Sequence, residues 1–177
     1  GPPQYGPAIE MADAPDEAYP DSWIADSAIR VLEEVAVTGD PFFLAVGFIK
    51  PHLPFVAPKK YWDLYDPEDI ELPDYRERPE GSPDYSLSYP GSITTRYSGF
   101  EDPVHVSKEM IRKLNHGHLA TISFVDAQFG RVIDKLKELD LYENTLIVVL
   151  GDHGQKVGEY GAFNKNSNFE IDTRAPL

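Results

Sequence analysis

The chain has 177 residues, 41% of them hydrophobic, with 16 basic against 30 acidic side chains and a formal charge of −14. That length and apolar fraction suit about one domain, and the negative field argues against a role on nucleic acid or on anionic membrane surfaces. The absence of cysteine excludes disulfides, thiolate zinc sites and a cysteine nucleophile together, and leaves the redox compartment open.

Residues 1–20, rich in proline and acids, read as an extended opening segment. Gly1 stands where an initiator Met would, so the chain is expected to be a fragment or a processed product. Asp21 or Ser22 can cap a helix that places Ile24, Ala28, Val31, Leu32 and Val35 on one face and ends near Gly39. Phe42 to Phe48 then form an almost unbroken apolar run, as expected of a strand covered on both sides. That run ends in Lys50-Pro51-His52. No run approaches the ~20 apolar residues of a membrane span, and no basic-then-apolar leader opens the chain.

Residues 50–106 lack a sustained period, apart from one or two helical turns between Pro58 and Tyr65. A connection of that length usually frames a binding site or forms a lid. From Ser107, a good N-cap, a long helix is predicted with Ile111, Leu114, His118, Ile122, Val125, Phe129, Val132, Leu136 and Leu139 on one stripe, weakened locally at Gly117 and Gly130. Leu146 to Leu150 form a second apolar strand, which breaks at Gly151 and delivers Asp152-His153-Gly154. Helix, strand, loop, helix, strand is a crossover order, so the expected fold class is α/β, with parallel strands and helices on both faces. Two buried strands leave unpaired apolar edges. Their sheet partners are expected outside these residues or as short strands within the loop.

Parallel strands would carry Lys50, His52, Asp152 and His153 to one edge of the sheet, where ligands collect in open α/β sheets, with Lys165 nearby. A carboxylate and an imidazole suit a divalent cation: Ca²⁺ or Mg²⁺ for the oxygen, Zn²⁺ or Mn²⁺ for the nitrogen. Two ligands are too few to complete a site, and Asp152 read alone fits a turn equally well. The Lys165 ammonium can neutralise a tetrahedral anion, and His52 can give it a hydrogen bond or a proton. A solvated surface lysine is the plainer account of Lys165. His118 reads as a packed side chain, His116 and His105 carry little, and Tyr61, Trp62 and Tyr65 read as a packing patch. Arg174 can pair with a neighbouring acid.

Taken in order, several stretches resemble the sulfatases of the alkaline phosphatase superfamily, and most nearly the iduronate-2-sulfatase branch. They are Pro41 to Gly47 with Lys50-Pro51-His52-Leu53-Pro54-Phe55, Ser123 to Arg131, Gly151-Asp152-His153-Gly154, Gly158-Glu159-Tyr160-Gly161 and Lys165-Asn166-Ser167-Asn168-Phe169. The match spans roughly residues 21–177 and is poor from 66 to 106. The resemblance implies an alkaline-phosphatase-like fold, a mainly parallel sheet flanked by helices. Residues 1–177 would then be part of a single catalytic domain, with 50–106 as an insertion near the active site. It implies Asp152 and His153 as calcium ligands. It further implies His52 and Lys165 as catalytic groups on the sulfate, with Lys50 beside them in substrate binding.

The family's nucleophile is a formylglycine made from the cysteine of a Cys-x-Pro-x-Arg motif, whose hydrated diol attacks sulfur. This chain has no such motif and lacks the paired aspartates of the family's first strand. Both are expected upstream of Gly1, and these residues alone are expected to be inactive. The implied partners are a sulfated carbohydrate and the remainder of the catalytic domain, in a secreted, periplasmic or lysosome-like compartment. Ile49 before Lys50, and Gln155-Lys156 after the Asp-His-Gly, depart from the pattern and bear on substrate preference. Two alternatives stand beside this one: a phosphodiester or phosphonate hydrolase of the same superfamily, and a non-catalytic fragment that binds a glycan or another chain.

Overall fold

The computed structural model describes residues 3–87, 93–102 and 105–176. In chain order its elements are β1 (Tyr5–Pro7), β2 (Ile9–Ala12), α1 (Pro20–Thr38), β3 (Phe55–Pro58), α2 (Lys59–Trp62), α3 (Ile93–Arg96), β4 (Tyr97–Ser98), α4 (Lys108–Glu138) and α5 (Glu170–Thr173), joined by short 3₁₀ turns. Two compact units emerge: one of residues 9–65 and 117–147, the other of 1–8, 66–116 and 148–177. The long helix α4 contributes to both.

In the first unit, β2 runs parallel to β3 in the register Ile9↔Phe55 to Ala12↔Pro58. The opening segment is thus partly a strand, and the long connection supplies its partner. Tyr19, Ala57, Tyr61, Trp62, Ala120 and Phe124 close one core around this pair, so Tyr61 and Trp62 form the packing patch expected of them. Gly117 is required here rather than merely tolerated. A Cβ on it would meet Ile9 Cγ2 and Trp62 Cη2 at 2.8 Å, so the missing side chain is what lets α4 approach β2.

The second core of this unit joins Ala25, Ala28 and Leu32 of α1 to Val132 and Leu136 of α4. Leu44, Val46 and Phe48 pack on it, while Phe43 is 94% exposed. Burial alternates along the run, as side chains do on a strand, yet no ladder forms there among the described residues. The expected strand is therefore covered on one face and not on both. The second run also departs from expectation: Ile147 packs on this core, but Leu146 is 90% exposed and no ladder is assigned to 146–150.

Helix α4 begins where predicted, with the Ser107 hydroxyl accepting from the Met110 N–H at 3.1 Å. Its central stripe is rotated from the expected one. Ala120, Thr121, Phe124 and Gln128 are buried, and Ile122 is exposed. The cause is polar: Gln128 occupies a core position because it donates to Asp16 at 3.0 Å and accepts from Arg131 at 2.9 Å, so its burial leaves no unmet hydrogen bond.

In the other unit, β1 pairs parallel with β4, and the Tyr5 and Tyr97 rings lie 5.1 Å apart. Ile70, Ile93, Ile111, Leu114, Val157 and Phe163 are all buried. Asn115 ties α4 to the segment after Asp152 by donating to the Val157 carbonyl at 3.0 Å. Part of the 50–106 connection, residues 88–92 and 103–104, lies outside the described residues.

Candidate active site

The first apolar run is anchored by a residue that looked like a helix cap. Asp21, fully buried, sits in the first turn of α1, where a carboxylate is favoured by the helix dipole. Its Oδ1 accepts from the Ile49 and Lys50 amides at 2.6 and 3.2 Å. This places the turn that follows. The Lys50 ammonium folds back onto the carbonyls of His52 and Pro54 at 2.9 and 2.6 Å. Burial pushes the Lys50 ammonium below its ordinary value, against the opposing pull of Asp21.

His52 lies exposed at the tip of this turn. Its Nδ1 is 2.7 Å from the Leu53 carbonyl, and a carbonyl only accepts, so Nδ1 carries the proton. In the neutral ring Nε2 then carries the lone pair.

In the other unit the structure brings Asp152 and His153 together. His153 Nε2 stands 3.4 Å from Asp152 Oδ2, and its Nδ1 lies 2.8 Å from the Gly154 carbonyl. By the same argument Nδ1 is the donor, and in the neutral ring Nε2 presents its lone pair beside the carboxylate. Metal-bound histidines characteristically donate their second ring N–H to a carbonyl or carboxylate. Neighbouring ligands of one cation at ~2.4 Å bond lengths lie about 3.4 Å apart in octahedral geometry. The pair therefore fits two positions of a cation site. Among the described residues no group of three such side chains gathers.

Gly154 holds this turn against α5. Its N–H donates to the Asp172 carbonyl at 2.8 Å, and a Cβ on it would fall 1.7 Å from the Ile171 oxygen. No other residue fits without moving backbone. Gly151 is tied likewise to the Pro176 carbonyl at 3.0 Å.

Lys165 is half-buried, with no hydrogen-bond or ion-pair partner for its ammonium among the described residues. The residues that follow it, Asn166 to Phe169, line a cavity of about 340 Å³ with Tyr85 and Ser86. Its walls are amides, hydroxyls and two aromatic rings.

His118 and His105 take the minor roles expected of them. His118 packs its ring 5.0 Å from that of Phe55, and burial lowers it to about 4. His105 pairs with Asp102 at 2.9 Å on the surface. Arg174 pairs with Glu170 at 3.8 Å.

Sequence reasoning passed over Asp21 as an anchor and Lys156 with Asp172 as a buried pair. Asp21 was legible only as a cap. A Lys and an Asp with buried side chains 16 residues apart leave no periodic trace.

The folded arrangement is the α/β one of the alkaline-phosphatase-like sulfatases. A solved phosphonate monoester hydrolase from Silicibacter pomeroyi matches with a TM-score of 0.75 and 30% identity, over 93% of this chain and 33% of that one. A family model described as Sulfatase matches residues 2–177, and the chain belongs to that family. It is 35% identical to the iduronate 2-sulfatase of Mus musculus over 176 residues, 96% of this chain and 32% of that protein. The choline-sulfatase of Rhizobium meliloti is 34% identical over 137 residues. The chain spans about a third of the length of the iduronate 2-sulfatases it matches, 32% in mouse and in human.

Proposed function

We propose that the protein carrying this chain is a sulfuric ester hydrolase acting on a sulfated carbohydrate, in the manner of the iduronate 2-sulfatases it resembles. The observation that carries the reading is the Asp152–His153 pair, with Nε2 and Oδ2 3.4 Å apart, at a turn fixed by Gly154 inside a family match that covers residues 2–177. Residues 1–177 form part of one catalytic domain, and the uncovered faces of the two apolar runs meet further chain of that domain. A secreted, periplasmic or lysosome-like compartment belongs with this reading.

In this reading Asp152 and His153 are two ligands of a divalent cation. Calcium is favoured because the carboxylate is a hard donor, with Mg²⁺, Mn²⁺ or Zn²⁺ as alternatives. Held by Asp152 and His153, such a cation would supply positive charge to the sulfate and to a formylglycine contributed by further chain. His153 holds its proton on Nδ1, which keeps Nε2 free for the cation. Lys165, whose ammonium has no partner among the described residues, stabilises charge on the sulfate. His52, its Nδ1–H held by the Leu53 carbonyl, gives a hydrogen bond or a proton from Nε2 of its imidazolium form to the ester oxygen as the S–O bond breaks, and Lys50 sets its turn and adds positive charge toward the anion. The neutral, aromatic-lined cavity after Lys165 suits a sugar ring.

A second reading, a phosphonate or phosphodiester hydrolase, is favoured by the likeness to the Silicibacter enzyme. A substrate panel separates them. The intact protein should release sulfate from sulfated uronate-containing oligosaccharides with kcat/KM at least ~100-fold above that for phosphonate monoesters and phosphodiesters, a gap of about 2.7 kcal/mol. The reverse order would install the second reading.

A further inference from the structure

Lys156 is wholly buried and Asp172 is 2% exposed. The Lys156 ammonium donates to the Asp172 carboxylate and to the Ser167 hydroxyl at 3.0 Å. Ser167 in turn donates its hydroxyl and its N–H, at 2.9 Å, to the same carboxylate oxygen. The main chain repeats these links. The Lys156 N–H donates to the Asn164 carbonyl at 2.9 Å, and the Gly154 N–H to the Asp172 carbonyl at 2.8 Å. Three segments converge on this cluster: the turn carrying Asp152 and His153, the loop carrying Lys165, and α5.

A buried ion pair rarely stabilises a core more than apolar side chains of the same size would. This one also leaves Asp172 Oδ1 buried without a partner, so stability alone is a poor account of it. What the cluster does supply is a fixed relation between two loops. From this we infer that Lys156, Asp172 and Ser167 are positioning residues, which hold Lys165 at a set distance and angle from the Asp152–His153 pair. The inference rests on the roles proposed above for those three residues.

The test uses the intact protein with 4-nitrophenyl sulfate as probe and follows Tm, kcat and KM. Lys156→Met combined with Asp172→Leu removes both charges together and avoids stranding one. We expect Tm to stay within about 3 °C of the parent while kcat falls at least ~10-fold, since misplacing a charged group by an ångström can cost more. Ser167→Ala, a smaller cut, should lower kcat about 3-fold or more with Tm unchanged. If the double variant does not fold, Ser167→Ala decides alone.

Lys165→Ala is the internal reference and should lower kcat/KM at least ~100-fold. If it does so while the folded variants keep kcat within about twofold, the cluster is only structural and the inference is overturned. If Lys165→Ala is itself neutral, the role given to Lys165 fails and takes the inference with it. In that case failure lies in the site reading and not in the cluster.

Discussion

Asp152 and His153 show how a residue pair acquires meaning from the atoms around it. In the sequence they follow an apolar run and fit a turn or a cation equally. The Gly154 carbonyl settles which ring nitrogen of His153 carries the proton, and so turns a surface carboxylate and imidazole into two adjacent donors. In the sequence Gly154 stands out only as part of the Gly151-Asp152-His153-Gly154 stretch. Its need comes from α5, whose Ile171 oxygen occupies the space of a Cβ. Gly154→Ala should therefore destabilise the intact protein by about 3 kcal/mol, the upper range for overpacking, as read from the denaturation midpoint.

His118 allows a pH prediction at the same scale. Burial lowers it to about 4 from 6.5, so the unfolded chain takes up a proton that the folded chain refuses. Stability is then complete above 6.5 and declines as pH falls from 6.5 toward 4. Between about pH 7 and pH 5 this histidine should account for ~2 kcal/mol of lost stability. His118→Leu should flatten that part of the profile in urea titrations.

Among the elements, those with strong local signals were legible. Helix α4 lies where its cap and 3.6-residue period put it; helix α1 follows its period but starts at Pro20 with Tyr19 as N-cap, so Asp21 and Ser22 fall inside its first turn and do not cap it. The stripe on α4 is displaced from the apolar one because Gln128 is drawn inside by Asp16 and Arg131, a polar contact that hydrophobic periodicity does not register. Short β2 and β3 were invisible because a parallel pair between residues 9–12 and 55–58 leaves no local pattern. Gly117 carries a prediction here. Its replacement by Leu should push α4 from β2 and separate Phe55 from His118, measurable as a rise of the His118 pKa toward 6.5 by NMR titration. An unchanged pKa would show that the contact can relax.

At the scale of the whole molecule, apolar exposure and net charge pull in opposite directions. A charge of −14 favours solubility, yet Phe43 and Leu146 are 94% and 90% exposed, and such surfaces mark contacts. Residues 1–177 produced alone should therefore self-associate and enhance the fluorescence of anilinonaphthalene sulfonate. A monodisperse, dye-silent monomer would contradict the proposal that further chain of the same domain covers these faces.

Under the proposed function, the negative field requires that a sulfated substrate be drawn in locally, by Lys165 and a cation held by Asp152 and His153. The most direct measurement is sulfate release by the intact protein from a sulfated uronate-containing oligosaccharide, as a function of free calcium, for the parent and Asp152→Asn. Chelation should abolish turnover and calcium should restore it. Asp152→Asn should lower kcat/KM at least ~100-fold and raise the calcium needed for half-activity ~10-fold or more. Turnover that ignores both chelation and Asp152→Asn would contradict the proposed function.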